Sequence, residues 1–152
     1  MESVAAAILQ RVATSVPKLR ELPESETALK PSPDRWSKKE ILGHLIDSAC
    51  NNHQRFVRAQ LEDGLTFPGY DQEGWVRCQG YVTADWLLLV ELWAAYNQHL
   101  AVIVGRLPVV SRAFVCRIGG GEELSFAAVV EDYVRHLDHH LAQLYRTANP
   151  DA

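Results

Sequence analysis

Four stretches of helical periodicity, each closed by proline or glycine, confine this chain to a helical bundle. The first spans about residues 3–22 and sets Val4, Ile8, Val12 and Val16 on one face. Pro23 stops it, and Pro31 and Pro33 hold the following segment extended. Ser37 with Glu40 three residues later forms a capping box, from which a second helix runs to about residue 62, with Gly64 just past its end. A long connection, 63–83, carries Gly64, Pro68, Gly69, Gly74 and Gly80, with a turn of helix expected near 71–77. Thr83 is the expected cap of a third helix over about 84–106, which Pro108 ends. Residues 109–118 read as extended, Gly119–Gly121 as a flexible turn, and Ser125 as the cap of a last helix reaching about residue 147. With no strong strand alternation, the expected fold class is all-α, a four-helix bundle with long interhelix connections that do not assure simple up-down order.

Composition narrows the function classes. A chain of 152 residues suits one domain, 1–152, and buries roughly 68–70% of its unfolded surface. The formal charge is −4 and no basic run occurs, which argues against nucleic acid as a partner. The first ten residues lack a basic start and are followed by Arg11, so they do not read as a signal peptide. No apolar run approaches the roughly 18 residues of a membrane span, and a cytoplasmic protein without a membrane partner is expected. Cys50, Cys78 and Cys116 are odd in number and widely spaced, without a Cys-x-x-Cys pair. They read as reduced, mostly buried thiols.

Histidine carries the chemistry. His136 and His140 stand four apart in the last helix, a spacing that puts both imidazoles on one face, a turn apart. They border the apolar arc of Val130, Val134, Leu137, Leu141 and Leu144, whereas His139 turns further toward solvent. His44 on the second helix can supply a third nitrogen, and three protein ligands with a free position describe a reactive metal site better than a structural one. A surface histidine cluster without metal fits the same spacing. Along the second helix, Glu40, His44, Asp47, Ser48, Asn51 and Arg55 share one narrow stripe at about 100° per residue. Periodicity alone leaves open whether that stripe is a solvated face or a site.

Near misses restrict the reaction type. The His-Glu-x-x-His and His-x-x-Glu-His patterns are both absent, as is the Glu-x-x-His pair of ferritin-like di-iron sites. One metal ion bound by neutral imidazoles survives, and zinc, nickel, iron and copper all accept such ligands.

Three segments bring a family resemblance: Asp34-Arg-Trp-Ser-Lys-Lys-Glu-Ile-Leu-Gly-His-Leu-Ile-Asp-Ser-Ala49, then Asn51-Asn-His-Gln-Arg-Phe56, then Arg135-His-Leu-Asp-His-His-Leu-Ala-Gln-Leu144. In order and spacing the chain resembles the DinB/YfiT-like superfamily of metal-dependent hydrolases over nearly its whole length. The resemblance implies a DinB-like four-helix bundle with a metal held by three histidines from two helices, here His44, His136 and His140. It implies a divalent ion, zinc or nickel before iron or manganese, and a homodimer. Some family members are transferases or isomerases that use low-molecular-weight thiols, so the expected partner is a small-molecule substrate, with such a thiol as a possible cosubstrate. The rival expectation is a non-catalytic metal-binding bundle acting in stress response or partner binding.

A tri-histidine ion would lower the pKa of bound water to about 7, or deprotonate a thiol, and so supply a nucleophile without a serine or cysteine triad. Asp47 and Asp132 are the expected partners that orient a ligand imidazole. Asn51 and Arg55, on the His44 stripe, are placed to bind a carboxylate or phosphate, with a surface ion pair to Glu62 or Asp63 as the competing role for Arg55. Asp47, Asn51 and Arg55 are thus the expected catalytic residues. Tyr70, Asp71 and Trp75 shape the pocket if their loop folds over the metal, and otherwise Phe67, Tyr70 and Trp75 make a satellite cluster. Trp86, Trp93 and Tyr96 are expected in the core. Trp36 is expected under the start of the second helix without a catalytic role.

Overall fold

The computed structural model describes residues 1–146, so the expected end of the last helix at Thr147 lies outside the described residues. Four long helices dominate: α1 (Glu2–Arg20), α3 (Lys38–Arg58), α5 (Trp86–Gly105) and α6 (Phe126–Arg146), joined by the short helices α2 (Glu24–Thr27) and α4 (Gln72–Gln79). The architecture is a four-helix bundle. α1 packs chiefly against α5 and α6, and α3 packs against the same two helices. The first and second long helices are therefore diagonal, and the chain departs from up-down order. This arrangement sets α3 beside α6, which brings His44 within reach of a helix 92 residues later.

Local chemistry explains the helix ends. The Ser37–Glu40 capping box forms as expected: the Glu40 side chain accepts from the Ser37 backbone N–H at 2.8 Å, and Ser37 Oγ accepts from the Glu40 backbone N–H at 3.3 Å. Helix α3 ends at Arg58, before the expected residue 62, and the left-handed Gly64 serves the following turn. The cap of α5 is Asp85, whose carboxylate accepts from Leu88 N–H at 2.7 Å; Thr83 instead closes a 3-10 turn, Tyr81–Thr83. Both residues are good caps, and Asp85 stands directly before Trp86, which the core draws into the first turn. Ser125 does cap α6, accepting from Ala128 N–H at 3.2 Å.

The extended segment proves to be strand only at its end. Val110–Ala113 is a 3-10 turn, and β2 (Val115–Ile118) pairs antiparallel with β3 (Glu123–Ser125) and parallel with β1 (Leu65–Phe67), in the order β1-β2-β3. Leu65 faces Cys116 and Phe67 faces Ile118 across the parallel pair; Cys116 faces Leu124 across the hairpin. Gly119 and Gly120 take positive φ in the hairpin turn, a conformation that glycine adopts without steric cost.

One apolar core runs between the long helices, with Ile8, Leu19, Leu42, Leu45, Trp86, Trp93, Leu100, Phe126 and Leu137 all buried. Trp86 and Trp93 lie in it as expected, while Tyr96 is half-buried at its edge. Across the bundle, Tyr133 O–H donates to Asn97 Oδ1 at 2.6 Å, which satisfies two buried polar groups. Contrary to the reading of short apolar runs, α5 is long and apolar enough to cross a membrane by length and composition. Its Trp86, Leu89, Val90, Trp93, Leu100 and Val104 are instead buried against the rest of the protein. Of the free thiols only Cys116 is buried; Cys50 is half-buried and Cys78 exposed, because Cys78 falls on the outer face of α4.

Candidate metal centre

The α3 stripe is not a solvated face. Glu40, His44, Asp47 and Ser48 are all buried, and His44 has no exposed surface. Glu40 is held by the capping box and by Lys30 at 2.9 Å. Gly43 permits the burial: a Cβ there would lie 2.1 Å from the Tyr81 ring, so the missing side chain lets Tyr81 lie directly on the helix. Tyr81 then donates its O–H to Asp47 Oδ1 at 2.7 Å.

His44, His136 and His140 each offer a ring nitrogen, and the three nitrogens lie within 4.8 Å of one another. His44 Nε2 and His136 Nε2 are 3.1 Å apart. Imidazoles about 2 Å from one tetrahedral ion have nitrogens roughly 3.3 Å apart, so the His44–His136 pair stands at ligand spacing and His140 completes a set of three donors within 4.8 Å. His139, exposed on the preceding position of α6, packs edge-on to the His140 ring, with centroids 4.8 Å apart, and is not among the three converging donors.

Electrostatics favour the ligating form of each ring. Burial, followed by repulsion from the other two histidines, lowers the His44 pKa to about 3. Burial and then His140 lower that of His136 to about 4. Burial also lowers His140, against a hydrogen bond to Gln143 that acts in the opposite direction. Three neutral imidazoles near neutral pH are what a divalent ion requires. Among the described residues the buried His44 Nδ1 has no hydrogen-bond partner, while its Nε2 faces His136.

The groups that orient these rings differ from the expected ones. His140 Nδ1 pairs with Gln143 Oε1 at 2.9 Å; only an Nδ1–H can donate to that oxygen, which leaves the Nε2 lone pair free. Ser48 Oγ lies 3.3 Å from His136 Nδ1. Asp47, expected to orient a ligand, instead accepts from Tyr81 and Gln79, and burial raises its pKa. Asp132 is exposed and accepts from Arg135 at 3.0 Å. Trp36 lies against the cluster, 4.9 Å ring to ring from His44, and donates its indole N–H to Glu73 on α4 at 3.0 Å. The helical wheel shows Ser48 and Gln143 beside the histidines, whereas Trp36 lies outside any helix and carries no periodic signal.

A cavity of about 270 Å³ opens beside His136, lined also by Ser48, Arg55, Tyr70, Asp132 and Ile118. Arg55 donates to Asn52 Oδ1 at 3.3 Å and makes no ion pair with Glu62 or Asp63; the Asp63 carboxylate is taken by the backbone N–H groups of Gly64 and Val115. Asn51 donates back to the Asp47 carbonyl at 2.9 Å and does not line the cavity. Of the long connection, Tyr70 reaches this cavity, while Asp71 and Trp75 line a separate one of about 680 Å³ with Asp47, Cys50 and Tyr81. Phe67 is buried under the small sheet, and Tyr70 packs on Trp75 at 5.0 Å.

Comparison with known proteins agrees with this geometry. A curated relative from Oceanobacillus iheyensis, named "Putative metal-dependent hydrolase", is 30% identical over 115 residues, which is 72% of this chain and 62% of that protein. The match thus spans less than two thirds of the relative's length. A solved structure, that of YfiT from Bacillus subtilis, described as a probable metal-dependent hydrolase with an unusual four-helix bundle topology, superposes with a TM-score of 0.82 at 18% identity; the match covers 97% of this chain and 85% of that one. The family model of the DinB superfamily matches residues 8–144, and the chain belongs to that superfamily.

Proposed function

We propose that this protein is a metal-dependent hydrolase whose ion is held by His44, His136 and His140. The convergence of three imidazoles from α3 and α6, His44 buried and His136 and His140 half-buried, with burial favouring the neutral form of each, carries this reading. A divalent ion in this cluster, zinc or nickel before iron or manganese, supplies Lewis acidity and makes water or a thiol nucleophilic near neutral pH. The chain's own groups do the remaining work. Gln143 and Ser48 hold two of the rings in register, and Trp36 covers His44. Arg55, Tyr70 and Asp132 present polar groups to the reacting space. Asp47 ties α3 to the segment after it through Tyr81 and Gln79, and Asn51 bonds back to the Asp47 carbonyl, so both would support the site through α3 and not by touching substrate.

Thiol transfer is the second reading. Its support is that, among the described residues, the cavity's carboxylate, Asp132, is exposed and paired with Arg135 and its histidine, His136, belongs to the ligand set, so neither is a dedicated general base, a need that an ionised thiol cosubstrate removes. The exposed Leu88 and Leu92 on α5 support pairing of two copies into a homodimer, and the cytoplasm is the proposed compartment. The test is a panel of esters, amides and electrophiles, each with and without low-molecular-weight thiols. Turnover that needs metal and disappears in His44→Ala supports the enzyme, and the thiol requirement decides between the two chemistries. Stoichiometric metal without turnover anywhere on the panel, with His44→Ala losing only stability, overturns the enzyme reading in favour of a structural metal.

A further inference from the structure

We propose that the cavity beside His136 binds a small molecule with an apolar body and one oxyanion terminus, a carboxylate or phosphate, gripped by Arg55. This deepens the metal-site reading and rests on it for part of the charge.

Arg55 is the first observation. Its side chain is half-buried, and its one hydrogen bond among the described residues, 3.3 Å to Asn52, is at the long end of the range. Among the described residues no carboxylate lies within ion-pair distance of it. A guanidinium carries five N–H donors, so most of its capacity is unspent at a place where burial disfavours its charge. Asp132, the carboxylate on the same cavity, is hydrogen-bonded to Arg135 at 3.0 Å and acts on Arg55 only through space, which offsets part of the cost of its burial.

The cavity's form is the second. Its volume, about 270 Å³, lies just below the range of drug-sized sites, roughly 300–1,000 Å³, so the occupant is small. Polar groups, among them Arg55, Tyr70 and Asp132, share its lining with the apolar Ile118, Leu124 and Val129, the first two from the β2–β3 hairpin. Tyr70 stays a neutral donor, its pKa pushed up to about 12 chiefly by burial.

The third is charge balance. The ligand set contains no carboxylate, so three neutral histidines leave a divalent ion's charge uncompensated. Arg55 adds a further positive charge on the same cavity as His136, and the single carboxylate of Asp132 there offsets only part of the combined charge of ion and guanidinium. An anion entering this space is favoured by both. The fork geometry of arginine matches two oxygens of a carboxylate or phosphate at once.

The test uses zinc-loaded protein and three short-chain probes: butanoate, its neutral isostere butanamide, and the larger butyl phosphate. Calorimetric titration is run on wild type, Arg55→Met and Arg55→Lys, with zinc content and circular dichroism measured on each sample. At least one anion is expected to bind at least about tenfold more tightly than the amide, the discrimination collapsing in Arg55→Met and partly returning in Arg55→Lys. Which anion binds separates carboxylate from phosphate ligands. Equal binding of anions and amide, no binding of any probe, or undiminished anion binding in folded, zinc-loaded Arg55→Met overturns the proposal; the last would mean that the ion alone holds the anion. Anion discrimination that depends on Arg55 in protein that takes up no zinc would support the Arg55 site and sink the metal reading.

Discussion

Single side chains decide whether the histidine cluster is a ligand set. His136 and His140 were legible because i,i+4 spacing on a helix is a local property, and His139 was separable from them by its angle. The orienting groups were not legible, because hydrogen bonding depends on rotamers that a wheel does not specify. Gln143, on the same face as His140, reaches its Nδ1. Asp47, equally near His44 on the wheel, is drawn away by Tyr81 and Gln79 from a segment more than thirty residues later. Two predictions belong here. His140→Ala abolishes stoichiometric metal and His139→Ala leaves it intact, as read by elemental analysis; equal losses would contradict the assignment. Gln143→Leu weakens zinc affinity by roughly 10–100-fold in chelator competition, since the ring loses the acceptor that fixes its tautomer. An unchanged affinity would show that packing alone holds His140.

At the level of elements, the long helices were legible from periodicity and capping, while the three- and four-residue strands were not. Alternation over so few positions carries no pattern, and β1 is defined by a parallel partner about fifty residues away. The choice between Thr83 and Asp85 as cap shows the same limit: two good cap residues stood two positions apart, and burial of Trp86 decided between them. Gly43 had no explanation in the sequence, because what requires it is the Tyr81 ring. Gly43→Ala is therefore expected to destabilise the protein by about 1–3 kcal/mol, as read by urea denaturation. This is opposite to helix propensity, which alone favours alanine by roughly 1 kcal/mol. A gain in stability would show that Tyr81 is free to move off α3.

For the whole molecule, the order of the bundle matters more than any one helix. Placing α1 diagonal to α3 makes α3 and α6 neighbours, and the tri-histidine cluster is a consequence of that topology. The sequence showed only that up-down order was not assured, because pairing of diagonal helices depends on the summed packing of the core. The same burial couples the site to stability. His44 and His136 are held neutral down to about 3 and about 4, whereas the unfolded chain takes up these protons near 6.5. The unfolded state binds more protons between those values, so stability is fully present above 6.5 and is lost as pH falls through the window. Chelator-stripped protein should lose on the order of a few kcal/mol between pH 6.5 and pH 4, read from urea midpoints, and His44→Asn should flatten the slope. A flat wild-type profile would contradict the burial of these rings as neutral groups.

The central claim is most directly tested by elemental analysis of protein purified without a histidine tag or nickel column, beside His44→Ala and His136→Ala. The account predicts about one divalent ion per chain in wild type and none in either variant, with the variants still folded by circular dichroism. Wild-type protein that holds no metal, even after incubation with zinc, nickel or manganese, would contradict it.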